Sequence, residues 1–563
     1  MADAEEKFRN KLARQSRTLE DAVVEYRRRY GREPPKGFGE WWQFVQEHDV
    51  KLVDEFDAIH EDLAPFWNMS AAEFRNRAFE VGRLPSIDLV RIIDGRVETA
   101  SVDTSSGEHG KRAFGFMSLL KKFEHTLPNM YFPVNAKAEG RVLVPWEHQA
   151  FPNMTVHNSS GGMTTPDWKG KGSVWESYRR SCPPYTEARR LYSSYRNPNA
   201  GNPKVFLGPA QAPQNELTFV ANVEDSFDYC SHPGAHVSQG HFFSDWRTIP
   251  VLYPVLSPAK AVGFLDIRIP SNYYLGLKKT YTYGFDANNE GHPKDVDDME
   301  VPWEEKKDLI FWRGASTGGG STPPGFAANY HRHRFLRMTH HDALGNRTII
   351  HADPSSSNPH SPRFIATTVP ARTLNGEIMD AAFVSSTNSY PGGEEALRKH
   401  HRFAPVVPLG EHWAYKYLID LDGMGYSGRF MALLASESAV LKSTVWREYL
   451  TDWLQPWLHY IPVSASYAEL YNIHAYFSGP TASTLQAAAT KPNLAISSSG
   501  HAHAHLGLGA DEELQRIARA GRQWKRTIGR VEDMEAYVYR LCLEYARLWA
   551  DDRDSMDFDS LGL

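Results

Sequence analysis

The sequence predicts an α/β fold in two large domains, and three observations carry that prediction. The chain has 563 residues with 41% hydrophobic and 12% aromatic content, more than one core absorbs, because single cores stop growing near roughly 250–300 residues. Its second half alternates short apolar runs with helical patterns: DLIFWRGAS, FAANYHRHRFLRM, YKYLIDL, SGRFMALLA, SAVLK and HYIPV follow one another in the βαβ rhythm of a parallel sheet. Near the end, Met534, Tyr537, Val538, Leu541, Cys542, Tyr545, Leu548 and Trp549 recur at the 3.6-residue period on one face of a long helix.

Taken in order, the first element is an amphipathic helix from Leu19, with Ala22, Val23 and Tyr26 at helical spacing, ending before Gly31 and Pro34. A Pro/Gly turn leads into further helix, where Trp41, Trp42 and Phe44 read as core. The stretch from Asn153 to Gly172 is rich in Gly, Ser, Thr and Asn and reads as a long surface loop, with a disordered or acceptor-facing loop fitting equally well. His501, His503 and His505 alternate in SSSGHAHAHLGLG; with no scaffold to fix them, they read as a flexible loop without a physiological metal.

Composition narrows the partners. Net charge is −6, with Lys and Arg spread along the chain, which argues against a nucleic-acid clamp. The 15 Trp, 26 Tyr and 28 Phe supply flat faces suited to sugar rings as well as to core packing. No apolar run approaches the roughly 20 residues of a membrane span, and the start MADAEEKFRN is charged rather than signal-like, so the chain as given reads as soluble. Asn68, Asn153, Asn158 and Asn346 each satisfy the N-x-S/T rule, which suits a secretory lumen. Of three cysteines, Cys542 falls on the helix pattern as a buried thiol, leaving Cys182 and Cys230 as the candidate pair.

The sharpest local signal is DLIFWRGASTGGGSTPPG, an apolar strand running into Arg313 and a loop with Gly314, Ser316, Thr317, Gly318, Gly319 and Gly320. Glycines let backbone N–H groups approach phosphate oxygens, hydroxyls add donors, and a guanidinium matches two oxygens at once. Neither a Gly-Lys-Ser/Thr ending nor G-x-G-x-x-G spacing is present, which argues against ATPase and dinucleotide readings. A second segment places Tyr426, Ser427, Gly428 and Arg429 between a strand and a helix, where an open α/β domain binds its nucleotide. Two arginines on one diphosphate neutralise a leaving group without a metal. The triplet Asp420-Leu421-Asp422 offers the rival, metal-binding D-x-D reading.

The succession GREPPKGF, LPNMYFPVN, CPPYTEARR, DLIFWRG, YKYLIDLDG, SGRF and QPWLHYIPV resembles glycosyltransferase family 90, in particular its fungal capsule-associated-protein branch, related to protein O-glucosyltransferases and xylosyltransferases. The resemblance implies a GT-B architecture, two Rossmann-like domains facing a cleft with an added helical N-terminal region. The implied division is a helical extension over 1–85, an acceptor-side domain over 86–300, a UDP-sugar domain over 301–530 and a helix over 531–563 packing back across them. It implies inverting transfer of a sugar, xylose before glucose, from a UDP donor to a mannose-containing glycan. No metal or other cofactor is expected, and the setting implied is a secretory lumen, Golgi above all, with any membrane anchor outside this chain. Carried over to this chain, Arg313 and Arg429 contact the diphosphate, with Gly314 and the hydroxyl-bearing loop behind Arg313, and Phe430 packs on the donor.

The sequence departs from the family at the catalytic position. Where an Asp base is expected after the LPNMYFPVN strand, NAKAEGRV places Ala138, with Glu139 beside it. Direct displacement needs a carboxylate or imidazole within reach of the acceptor hydroxyl. Either Glu139 serves, or a residue elsewhere such as His241 does, or the chain is an inactive UDP- or glycan-binding relative.

Overall fold

Five helices lead the chain: α1 (Ala2–Ala13), α2 (Leu19–Tyr30), α3 (Phe38–Glu47), α4 (Asp57–Leu63) and α5 (Ala71–Val81). They belong to a computed structural model that describes residues 1–103, 110–150, 174–190, 218–221, 228–243, 248–276, 299–320, 325–353, 363–386, 390–490, 494–496 and 510–559. The Asn153–Gly172 stretch, with its two sequons, and His501, His503 and His505 lie outside those residues. The expected first helix is α2, bounded as its sequence dictates: the Thr18 hydroxyl accepts from the Asp21 N–H, and Gly31 closes the helix at φ 65°. A helix that periodicity did not indicate, α1, precedes it and buries only Ala4 and Phe8. The Phe8 ring meets His459 edge-on at 4.4 Å, so a distant contact secures what local pattern left undefined. Trp41, Trp42 and Phe44 are core, as expected.

The next elements are β1 (Ile87–Ile93), β2 (Arg96–Ser101), α6 (Lys111–Leu120), β3 (Met130–Asn135), β4 (Leu256–Ser257), β5 (Ala259–Ala261) and β6 (Ile267–Arg268). Four of these strands and β2 form a sheet in the order β2-β1-β3-β4-β6. It is mixed rather than wholly parallel: β1 runs antiparallel to both β2 and β3, while β3, β4 and β6 are parallel. The cause is local. Asp94-Gly95, both at positive φ, make the two-residue hairpin turn that Asp-Gly favours and fold β2 straight back onto β1.

The second half supplies β7 (Lys307–Ala315), β8 (Asn346–Ala352), β9 (Phe364–Pro370), β10 (Met379–Ser385), β11 (Tyr415–Leu421), β12 (Ala439–Ser443), β13 (Trp446–Glu448), β14 (Ile461–Pro462) and β15 (Leu494–Ile496). Five of them build the parallel sheet that the βαβ rhythm predicts, in the order β10-β7-β11-β12-β14. Because the strands are parallel, the segments after Ala315, Leu421 and Ser443 emerge at one edge, where open α/β sheets bind ligands. The strands β8, β9 and β15 form a separate antiparallel sheet, and β13 pairs antiparallel with β5. That last pairing joins the two halves of the chain.

The long helix spans Val531–Trp549. Its apolar face is where the period puts it, but the opposite face is buried too, against α3 to α6. Charge burial is tolerated because it is paired. Arg540 and Arg547 lie 3.3 and 3.5 Å from Glu544, the Tyr26 hydroxyl donates to Glu544 at 3.0 Å, and the Arg540 guanidinium lies 4.5 Å from the centre of the Phe38 ring.

Cys182 and Cys230 form a disulfide with Cα atoms 5.6 Å apart, and Cys542 is a buried thiol. Both cysteine expectations hold. The bridge closes a loop with a sequence separation of 48, worth about 4 kcal/mol on chain-entropy grounds. Calorimetry of a Cys182→Ser, Cys230→Ser variant should therefore show a lower unfolding temperature, and reductant should no longer affect it. An unchanged transition would remove the bridge from the stability of this region.

Candidate active site

The site forms where the glycine-rich loop, the segment after β11 and the loop after β3 meet. Each is held by identifiable contacts.

The strand β7 delivers Trp312 and Arg313 to the sheet edge on opposite faces. Arg313 is nine-tenths buried and turned toward β10: it donates to the Asp380 carboxylate at 2.8 Å, to the Asp380 carbonyl at 2.8 Å and to the Trp312 carbonyl at 3.0 Å. Arg402 and Tyr415 also bond Asp380. Beyond Arg313, a Cβ on Gly314 would meet the Trp312 ring at 2.5 Å. The Ser316 N–H donates to the Ser385 carbonyl at 3.0 Å. Gly318 has φ 148°, and a Cβ on Gly319 would lie 2.3 Å from Gly240. The Gly320 N–H donates to the Gly240 carbonyl at 3.3 Å. These glycines let the loop lie directly on the backbone of the chain's first half, a role additional to the phosphate approach expected of them.

The residue that spans this loop is Arg332, in the helix His331–Met338. It donates to the Ala315 carbonyl and the Thr317 hydroxyl, both at 3.0 Å, and to the Asp422 carbonyl at 2.7 Å. Its guanidinium carbon lies 5.5 Å from the centre of the Trp312 ring, and that of Arg429 lies 5.7 Å from the same centre. Trp312 thus gathers two guanidinium groups at the sheet edge. Arg429 also donates to the Arg313 carbonyl at 2.7 Å. In sequence HRHR reads only as helix pattern; the one signal for Arg332 is a cationic pair at the start of the helical pattern that follows the glycine-rich loop.

After β11, Ser427 donates to Asp420, whose other oxygen accepts from Lys442 at 3.0 Å. The Asp422 carboxylate accepts from the Thr444 hydroxyl at 2.6 Å and the Val445 N–H at 2.8 Å. Burial pushes its pKa up to about 7 against those two hydrogen bonds. Both carboxylates of the D-x-D triplet therefore serve as buried acceptors for neighbouring side chains and backbone. Tyr426 bonds Ser271, and the Tyr274 hydroxyl reaches the Ser427 carbonyl at 3.3 Å and Glu448 at 2.5 Å. Gly428 lies between these anchors and Arg429. Phe430 is fully buried, with the Lys442 ammonium 3.8 Å from its ring centre, so its packing is with the protein core.

The third component is the loop after β3. The Asn135 side chain pins it, donating to the Glu139 carbonyl at 2.6 Å and accepting from Lys137 N–H at 2.9 Å and Arg141 at 3.1 Å. Glu139 is buried. Ala138 is half-buried and faces the segment after β11 so closely that a Cβ on Gly425 would meet its carbonyl oxygen at 2.5 Å. The expected catalytic position thus stands opposite the Tyr426–Arg429 segment. His241 is also near, beside Gly240, but it is packed between the Phe242 and Trp446 rings at 4.0 and 5.1 Å. Burial lowers its pKa to about 3, which makes it a poor proton acceptor. Its Nε2 has no hydrogen-bond partner among the described residues.

Comparison with known proteins adds an independent finding. The model of the family described as glycosyl transferase family 90 matches residues 372–478, a segment that includes Asp420, Asp422 and Tyr426 to Phe430. An O-glucosyltransferase rumi homolog of Aedes aegypti is 36% identical over 234 residues, 40% of this chain and 46% of that protein. Protein O-glucosyltransferase 2 of Danio rerio is 29% identical over 143 residues, 25% of this chain and 23% of that protein. Protein O-glucosyltransferase 1 of Homo sapiens is 25% identical over 174 residues, 31% of this chain and 36% of that protein. The chain spans less than half the length of each of these relatives.

Proposed function

We propose, for a chain that is related to glycosyltransferase family 90, that the sheet edge around Trp312 binds a UDP-sugar and that the sugar passes to a hydroxyl of a carbohydrate acceptor. The observation that carries this reading is the gathering of Arg332 and Arg429 against Trp312, beside a glycine-rich loop and opposite the Ala138–Glu139 loop. Two fixed cations stabilise the charge that develops on a departing diphosphate, and they do so without reorganising. Arg313, anchored on Asp380, completes the cationic set from the other face of β7. Ser316, Thr317 and the backbone of Gly314 and Gly318 supply donors to phosphate oxygens, and Tyr426, Ser427 and Gly428 shape the far wall. Phe430 supports the donor site from beneath, through the core.

In this reading the reaction is a single inverting displacement. Glu139 takes the proton from the acceptor hydroxyl as its oxygen attacks the anomeric carbon, and the bond to UDP breaks on the opposite side. The sugar is xylose in first place, from the fungal-type motif succession, with glucose second, as the relatives' names suggest; a mannose-containing glycan is the acceptor. The setting is a secretory lumen, Golgi in particular. The disulfide and the exposed sequon residues Asn68 and Asn346 support it. No helix among the described residues is long and apolar enough to cross a membrane.

The test is release of UDP from UDP-xylose and UDP-glucose, with and without mannose oligosaccharides. Release from neither donor, in protein that does not bind UDP, would overturn the reading. The arginines take the place of a divalent ion, so EDTA should leave both UDP affinity and turnover unchanged. Loss of activity in EDTA with rescue by Mn²⁺ would transfer the diphosphate to Asp420 and Asp422.

A further inference from the structure

A cavity of about 510 Å³ lies between the N-terminal helices and the chain running from Lys442 to Tyr460. Its volume falls within the range of roughly 300–1,000 Å³ typical of small-molecule sites. None of Arg313, Arg332 and Arg429 lines it, so it is separate from the proposed donor site.

The chemistry of its wall selects a ligand class. The wall carries charges of both signs, many of them paired: Arg14 lies 3.2 Å from Glu55, and Arg447 lies 2.9 Å from Glu61. Lys11 donates to the Asp452 carbonyl at 2.5 Å, and five carboxylates line the cavity against four cations. Lys442, at the floor, is held by Asp420 at 3.0 Å. An anionic ligand enters against the carboxylates that outnumber the cations there and competes with them for Arg14, Arg447 and Lys442. A neutral polyol does not. Its hydroxyls both donate and accept, so they add to the outward oxygens and N–H groups of intact pairs. An apolar rim is also present: Val262 is 48% exposed and lines the cavity along with Leu454 and Tyr460, a surface on which the C–H face of a sugar ring loses water.

The cavity also adjoins the donor side. Lys442 holds Asp420, which accepts from Ser427, and Glu448 accepts from Tyr274, which also reaches the Ser427 carbonyl. One side chain separates the cavity floor from the Tyr426–Arg429 segment on each route.

We propose that this cavity is a second carbohydrate site that takes a short neutral oligosaccharide, the choice of a glycan over another neutral polyol resting on the transferase reading. The experiment is calorimetric titration of the full chain with mannotriose, maltotriose and xylotriose, with trigalacturonic acid as the charged comparator. Each is run with and without saturating UDP. At least one neutral trisaccharide should bind, the uronate at least tenfold more weakly. Val262→Trp, which fills the mouth from an exposed position, should weaken binding at least tenfold while UDP affinity stays within twofold. Arg14→Ala, at a side chain that is mostly exposed, should weaken it severalfold, which guards against a folding defect in the first variant. Binding of none of the three neutral sugars, preferential binding of the uronate, or equal binding by parent and both variants would each overturn the proposal. UDP titrated alone reports on the donor site separately: failure there with trisaccharide binding intact sinks the transferase reading and leaves the cavity assignment standing.

Discussion

Alanine at Arg332 is expected to weaken UDP binding by about two orders of magnitude, more than alanine at Arg313. Arg332 is bonded to Ala315, Thr317 and Asp422 at once, so its removal takes away a cation beside the proposed phosphate position and also the link between the glycine-rich loop and the segment after β11. A charge-assisted contact of this kind is worth about 1.5–3 kcal/mol, and about 2.8 kcal/mol is a hundredfold in affinity. Arg332→Lys should recover only part of the loss, because an ammonium cannot span three acceptors as the planar fork does. Arg313→Ala frees Asp380 to bond Arg402 and Tyr415 alone, and its effect on UDP should stay near tenfold. Calorimetric titration with UDP decides the order. A loss for Arg313→Ala equal to or larger than that for Arg332→Ala would return the principal diphosphate contact to Arg313. An Arg332→Ala affinity within threefold of the parent would remove Arg332 from the site.

Glu139→Gln is expected to lower transfer by ~10²–10⁴-fold, the usual worth of a positioned general base, with UDP affinity almost unchanged. The substitution keeps the shape and removes the proton acceptor, so binding and chemistry separate. Ala138→Asp is its counterpart. The half-buried Ala138 faces Gly425 across the meeting of the two loops, so a carboxylate there stands against the segment after β11. With Glu139 as the base, this variant should leave transfer level or reduce it. A gain of two orders of magnitude in Ala138→Asp, with Glu139→Gln silent, would instead show that the parent lacks its base. If both variants transfer like an active parent, the base lies outside the loop after β3.

The parts of this structure that were legible in the sequence are those where local pattern and final environment agree. DLIFWRGA and YKYLIDL are strands of continuous apolar character, as a sheet buried on both faces demands, and they became β7 and β11. Trp41 and Phe44 sit on the buried face of a helix whose amphipathic pattern already marked it. The junction after β11 and the loop after β3 were both placed by motif, and the structure puts them against each other. Less was legible where a distant partner decides. The helix α1 has too few apolar residues to declare itself and rests on His459. The polar face of the helix Val531–Trp549 reads as solvated, yet the aromatic rings of α2 and α3 enclose it. Nothing near Arg313 in sequence announces its anchor Asp380, and nothing near Arg332 announces that its acceptors lie on the Ala315–Thr317 segment and at Asp422.

The pairing of Tyr26 with Glu544 has a consequence for the order in which the chain matures. Their separation is 518 residues, so at roughly 5–20 residues per second a ribosome makes α2 about half a minute to nearly two minutes before its partner helix exists. Throughout that interval Tyr26, Phe38 and Trp41 have no Arg540 or Glu544 to meet. The first helices therefore emerge with only one another to cover their aromatic rings, as Tyr26 on Phe38 and Trp41 on Phe56, until the last helix is made.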